Sequence, residues 1–413
     1  VISLAAEAAR CMRCGNCRAV CPVCEITRRE NDSARGRLLR IRHALAADRW
    51  AARDREALSR CLLCGRCTEV CHVHVETPRA VQAAKAASGA AAGLTDFAAE
   101  YLLGDGGRLE TATRRWRRFA AWLGRATPDD SGLRLRFSLP YAEAGRWLPK
   151  PPAISYLEKN TGRAARGREK IAIFAGCGAG RLFAGVGEAL DRVLAKYDLV
   201  AAVPEQSCCG LPAWGIGADR AAKTAAANWV EAFRAEEYDA ILTPCASCAA
   251  HLQKMGKVSL TGSTGSLGHD EDEATFAADA ARLAAKVEDV FAWLARREPQ
   301  FDLEGQRVAV HLPCHARRGV RDGTAVLQVL ARSGAEIVQL PDEIDRRCCG
   351  MGGSFGARHP DLSREIARPK IEAMLAAKPD AIVSNCTGCL VQLRDGVGDN
   401  LGVPVRHAIE LLG

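Results

Sequence analysis

Residues 11–21 read CMRCGNCRAVC, and residues 61–71 read CLLCGRCTEVC. Each is a C-x2-C-x2-C-x3-C run, and every cysteine of the first recurs 50 residues later in the second. This is the run of two 4Fe–4S cubanes, in which the fourth cysteine of each run ligates the other cluster. The spacing assigns Cys11, Cys14, Cys17 and Cys71 to one cube, and Cys61, Cys64, Cys67 and Cys21 to the other. Gly15 and Gly65 let the backbone close around a cube. Zinc sites use separated ligand pairs, not four consecutive ligands repeated twice. Cys21 is followed by Pro22 but Cys71 by His72, a change that alters a cluster's surroundings without removing a ligand. His72 and His74 are read as packed or solvated side chains, and Cys24 as a small apolar residue.

The remaining cysteines repeat as well. Cys177, Cys208, Cys209, Cys245 and Cys248 recur as Cys314, Cys348, Cys349, Cys386 and Cys389, and a glycine follows each adjacent pair (Gly210, Gly350). Each half repeats one pattern. A short apolar run ends at a cysteine (KIAIFAGC 170–177; RVAVHLPC 307–314), and a helical stretch follows (181–196; 323–333). Then comes a strand closed by proline (DLVAAVP 198–204; AEIVQLP 335–341), another helix, and a strand ending at C-x2-C (DAILTPC 239–245; DAIVSNC 380–386). The first-half helix carries Ala222, Ala226, Trp229, Val230 and Phe233 on one face. Strand–helix alternation implies parallel sheets, whose sites form at the carboxyl ends of the strands. Five cysteines from three strand ends therefore converge in each half. Five thiolates exceed the four of an ordinary cube, and spacing alone does not say what five would hold. No G-x-G-x-x-G follows a first strand, so a nucleotide site is not expected, nor is flavin in this chain.

Nineteen cysteines in 413 residues, two pairs of them adjacent, do not describe a small disulfide scaffold. The 48% hydrophobic and 26% charged residues describe a globular chain whose cores, at 5% aromatics, rest on Ala, Leu, Val and Ile. No apolar run is long enough for a membrane span, and VISLAAEAAR at the start reads as too polar for a signal peptide. The formal charge of +8 does not point to nucleic acid. Eighteen ligand thiolates and four cores of about 2+ each would bring it to about −2.

Residues 88–168 carry no cysteine and read as a helical connector, with linker-like SGAAAG (88–93) and PKPPA (149–153). Within it TATRRWRRFAAWLGR (111–125) is a basic aromatic helix. It is read as packing its aromatics on the N-terminal module and solvating its arginines; a membrane-surface or partner-docking element is the sharper alternative. TGSTGSLGHDEDE (261–273) reads as a polar interdomain loop rather than a metal site at His269, Asp270, Glu271 and Asp272. A helix is expected near 275–296 with Phe276, Leu283, Val287, Val290, Phe291 and Leu294 on one side.

The C-terminal pattern resembles the CCG domain of heterodisulfide reductases, which binds a non-cubane 4Fe–4S assembly. A two-cubane module followed by two such domains resembles the catalytic component of heterodisulfide reductases. It is also similar to the iron–sulfur components of glycolate or lactate oxidases and of anaerobic glycerol-3-phosphate dehydrogenase. SARGRLL (33–39) and LPCH (312–315) fit the same group, and both CCG motifs are complete. The resemblance implies an α+β chain: a mainly helical two-cluster ferredoxin domain (1–87), the connector (88–168), and two α/β CCG domains with parallel sheets (169–273 and 274–413). It implies two cubanes and two non-cubane clusters, the latter on the ten CCG cysteines. Cys208, Cys209, Cys348 and Cys349 are the candidate redox-active positions. The expected function is electron transfer for a flavoprotein dehydrogenase of a 2-hydroxyacid, with a membrane subunit or quinone as acceptor. The expected place is the cytoplasm or the inner face of the cell membrane. Two other readings carry weight: a catalyst reducing a disulfide between paired non-cubane clusters, and a scaffold, disfavoured because ten reactive thiols are hazardous in one.

Overall fold

The computed structural model describes residues 3–89, 101–102, 105–128, 132–139, 142–255, 273–399 and 402–413. The expected linker SGAAAG from residue 90 onward and the expected loop at 261–272, including His269, Asp270, Glu271 and Asp272, lie outside the described residues.

Residues 3–89 form short helices and no strand. Helix Ala34–Ala46 is their spine. Ser33 caps it, its Oγ accepting from the Gly36 amide at 2.9 Å. Its apolar stripe packs Leu38 and Ile41 against Ala8, Leu58, Val81 and Ala84. Gly15 and Gly65 take matching left-handed conformations (φ 93° and 79°), each at the start of the short helix inside its cysteine run.

The connector is only partly helical. Helix Gly106–Leu123 leads into a three-stranded antiparallel sheet of β1 (Gly124–Ala126), β2 (Gly132–Leu135) and β3 (Trp147–Pro149). Alternating apolar residues such as Leu133 and Leu135 give it a buried face, with Trp147 closing over Gly132. The helix packs against β1 and the turn Gly178–Leu182. Trp116 turns inward and donates to the Pro149 carbonyl at 3.5 Å. Phe119 (58% exposed) and Trp122 (70%) stay in solvent and Trp116 bonds to the connector's own sheet, so the expectation that the aromatics pack on the N-terminal module is not met. Arg114 and Arg117 are not free either: they bind Glu158 and the Ala153 carbonyl.

Two parallel sheets follow. In the first, β4 (Ile171–Ile173) pairs β5 (Ala240–Thr243), which pairs β6 (Val287–Asp289). In the second, the order is β10 (Val405–His407), β9 (Ala381–Ser384), β7 (Arg307–Val310), β8 (Glu336–Ile337). β4, β5 and β9 are buried along their whole length, as strands covered on both faces must be. The strand expected at 198–204 is reduced to isolated bridges, Ala202 to Ala172 and Val200 to Arg166, because the segment 163–166 takes up its outer edge. The single helix expected at 275–296 is interrupted. Helix Glu273–Lys286 ends, Val287–Asp289 extends beside β5, and helix Val290–Ala295 starts from Asp289, whose side chain accepts from the Phe291 amide. β6 and β10 thus occupy corresponding edges. VEDVFAWL and VRHAIELL are their sequence counterparts, an extension of the repeat that the cysteine spacing does not reveal.

Both halves meet the N-terminal module. Glu69 binds Arg318 (2.7 Å) and Arg346 (2.6 Å), Glu25 binds Arg347 (2.8 Å), and Lys85 Nζ donates to the Gly215 carbonyl (2.9 Å). Leu62 packs in one apolar core with the CCG cysteines. Among the described residues no helix is long and apolar enough to cross a membrane.

Candidate metal centres

Four of the CCG cysteines are placed directly by the strands. Cys177 and Cys314 follow β4 and β7; Cys245 and Cys386 stand at the helices that leave β5 and β9. The glycine of each CCG is fixed by geometry. Gly210 and Gly350 have φ of 86° and 87°, and a Cβ on Gly350 would lie 2.3 Å from the Ser363 carbonyl oxygen. The turn therefore admits no side chain immediately after the paired cysteines.

All nineteen cysteines are free thiols. The ten CCG thiols act on one another as one string: Cys177, Cys208, Cys209, Cys248, Cys245, then across to Cys386, Cys389, Cys349, Cys348 and Cys314. Sulfur–sulfur separations are 3.7 Å for Cys177–Cys208, 3.2 Å for Cys349–Cys389, and 3.9 Å for Cys245–Cys386. The last joins the two halves. The junction is pinned by the Ala246 amide, which donates to the Asn385 carbonyl at 2.8 Å. Interactions with the Cys248 and Cys386 sulfurs, and hydrogen bonds from the Cys248 and Thr387 amides, hold the Cys245 thiol well below its ordinary range. The histidine of LPCH acts here too: His315 Nδ1 lies 2.9 Å from Ser247 Oγ, which lies 3.1 Å from Cys386 Sγ.

The string continues into the N-terminal module. Burial and then the charge of Cys348 push the Cys64 thiol up, and Cys64 in turn acts on Cys314. Cys67, pushed up to about 12 by burial, feels Cys61 and Cys21. Cys21 of the first run thus sits beside Cys61 and Cys67 of the second. Cys14 is exposed. His72 Nε2 lies 2.8 Å from Asn16 Nδ2, which ties the two runs together. Cys24 is buried, with its thiol 3.7 Å from the Arg29 carbonyl.

Crowded, water-excluded, unbridged thiols are a soft donor set that suits iron–sulfur clusters, and so many buried sulfurs would otherwise be costly. Two arginines of SARGRLL serve the N-terminal runs, a role the cysteine pattern does not show. Arg35 Nη1 donates to the Arg13 carbonyl at 3.0 Å. Arg37, 2% exposed, donates to the carbonyls of Ala57 and Arg60 (both 2.8 Å) and reaches Cys21 Sγ at 4.0 Å. The signal was legible: Arg37 falls in phase with Ala34, Leu38 and Ile41 on the buried stripe. Arg37→Met is expected to leave two buried carbonyls unpaired at about 1–3 kcal/mol each. A thermal melt with an iron assay should show a lower midpoint and lost iron; an unchanged melt and full iron would contradict this role.

The site and fold together define an iron–sulfur protein with one dicluster domain and two cysteine-rich domains. The 4Fe-4S dicluster domain family matches residues 7–75, and the Cysteine-rich domain family matches 171–253 and 308–394. Lactate utilization protein A of Geobacillus kaustophilus is 31% identical over 253 residues, covering 59% of this chain and 98% of the relative. That of Geobacillus thermodenitrificans is 30% identical over 251 residues, 59% and 98%. The glycolate oxidase iron-sulfur subunit of Escherichia coli is 26% identical over 410 residues, 97% of this chain and 92% of the relative. The chain belongs to the family of lactate utilization protein A, and it is an iron–sulfur component of the oxidoreductase class.

Proposed function

We propose that the chain is the electron-transfer subunit of a flavin-linked 2-hydroxyacid dehydrogenase, with lactate or glycolate as the substrate class and a quinone as the acceptor. Its cofactors are two cubanes, on Cys11, Cys14, Cys17 and Cys71 and on Cys61, Cys64, Cys67 and Cys21. Two non-cubane clusters are held by Cys177, Cys208, Cys209, Cys245 and Cys248, and by Cys314, Cys348, Cys349, Cys386 and Cys389. The domains are 1–87, 88–168, 169–273 and 274–413. Clusters in these sets supply storage for single electrons, which a flavin releases one at a time.

The observation that carries the reading is the order of the thiols. The second ferredoxin run meets the second CCG set at Cys64 and Cys348, and that set meets the first at Cys386 and Cys245. Cys348, Cys386 and Cys245 are buried and Cys64 is half-buried, so little water reaches these junctions. The exposed end of the row is Cys14, next to Met12 at 68% exposure, and a flavoprotein docks at this end. The chain resides in the cytoplasm or on the inner membrane face, where the exposed aromatics Phe119 and Trp122 among arginines suit an anionic surface. The Cys245–Cys386 contact also favours a second reading, reduction of a disulfide at the paired sets.

Anaerobic purification from the native cell tests this. A stoichiometric flavoprotein with iron near ~16 per chain supports the relay. Iron near ~8 overturns it, because the CCG sets would then be empty. Full iron without a flavoprotein, with disulfide turnover by the chain alone, favours the second reading.

A further inference from the structure

The two CCG sets are alike in their cysteines and unlike in what surrounds them. Three residues before Cys314 stands His311; three residues before Cys177 stands Phe174. By position from the CCG motif, Lys370 in the second half corresponds to Val230 in the first. Phe174 packs on Phe233 at 5.9 Å between ring centres, an apolar wall. His311 has no such role. It is 1% exposed, and one of its two ring nitrogens and the sulfurs of Cys349 and Cys389 all lie within 4.8 Å of one another. Nε2 has no hydrogen-bond partner among the described residues. A buried, unpaired ring nitrogen beside two thiols is an expensive arrangement unless something at those sulfurs receives it.

Lys370 fixes which way the ring works. Its ammonium, fully buried, donates to the Asp345 carbonyl and lies 3.8 Å from the Asp345 carboxylate. Its third contact is His311 Nδ1, at 3.3 Å. An ammonium can only donate, so Nδ1 accepts and the ring proton resides on Nε2.

We infer that His311 Nε2–H donates a hydrogen bond to the sulfur of the group held by the second CCG set, with Lys370 as its positioning residue, and that this set is therefore the more readily reduced of the two. Donors to cluster sulfur and nearby positive charge both stabilise the reduced, more negative state. At the positions of His311 and Lys370 the first set has Phe174 and Val230, which supply neither a side-chain donor nor a charge. The two sets form an unequal pair: the one next to Cys64 holds an electron more tightly than the one beyond it. The inference rests on the proposed iron–sulfur filling of both sets, and an iron count on the unaltered protein separates the failure of that filling from the failure of this one.

The test is a spectroelectrochemical titration of the purified, iron-replete full chain and of His311→Phe, His311→Gln and Lys370→Met. In His311→Phe the second set's midpoint should fall by at least a tenfold change in the one-electron equilibrium, about 59 mV. The first set's should stay in place and iron should be retained. His311→Gln, which keeps an N–H donor, should recover part of the shift, and Lys370→Met should lower the midpoint with His311 present. Electron–nuclear double resonance should show an exchangeable proton near the reduced second set that vanishes in His311→Phe. Unmoved midpoints, or a strong direct nitrogen coupling with loss of iron on substitution, would overturn the inference; the latter would make His311 a ligand rather than a donor.

Discussion

Cys348→Ala is expected to cut the row in the middle, whereas Cys208→Ala is expected to shorten it only at the far end. Cys348 is bonded into the second CCG set through Cys314 and Cys349, and its charge acts on Cys64 of the N-terminal module. Cys208 is bonded to Cys177 and Cys209 in the first set, beyond the Cys245–Cys386 junction. Each substitution removes one buried thiol of a crowded set, so each should lower iron by about four atoms from about sixteen. The consequences then differ. In Cys208→Ala, the partner flavoprotein should still reduce the second set. In Cys348→Ala, the first set should keep its iron and yet stay oxidised when the partner is supplied with its substrate. A small artificial donor that reaches the first set directly should still reduce it. Overall turnover should fall to background in both variants. Rapid-freeze spectroscopy of the signals reduced within one turnover distinguishes them. Reduction of the first set in Cys348→Ala at the unaltered rate would refute the order.

Much of this row was legible in the chain, because cluster-binding cysteines leave a periodic trace. The 50-residue repeat of the first two runs and the fivefold match of the CCG sets gave the ligand candidates and the parallel strands that carry them. What spacing could not give was contact between sets. Cys245 and Cys386 are 141 residues apart and touch because β5 and β9 end at one seam. Nor do cysteine offsets reveal β6 and β10, since those strands carry no cysteine and lie 118 residues apart rather than about 140. The connector misled for a different reason. Its strands are three or four residues long, too short for alternation to register, and they are stabilised by Trp147 lying over Gly132. His311 and Lys370 are visible in retrospect as polar residues in otherwise buried positions, a signal that only burial turns into a question.

Gly178→Ala should slow passage between the two CCG sets while leaving both filled. Gly178 follows Cys177 and faces the other half: a Cβ built there would stand 2.1 Å from Thr387 Oγ1 and 2.8 Å from Thr387 Cβ. Thr387 cannot retreat freely. It follows Cys386 as the first residue of its helix, its amide holds Cys245, and its hydroxyl lies 3.9 Å from Cys245 Sγ. The extra methyl must therefore part the seam or turn the threonine away from Cys245. Overpacking of this kind costs about 1–3 kcal/mol. Spent at the junction, it should slow exchange between the sets by up to about tenfold per 1.4 kcal/mol. Gly180→Ala is the matched control. Its methyl would meet Leu157 at 2.6 Å from the same turn, away from the seam, so it should lower the melting temperature without touching the exchange. Adding Thr387→Ala to Gly178→Ala removes Oγ1 and Cγ2, leaves the 2.8 Å contact with Cβ, and should restore part of the rate. Equal rates in Gly178→Ala and Gly180→Ala would mean that electrons do not cross at Cys245 and Cys386, and the two halves would then have to be supplied separately.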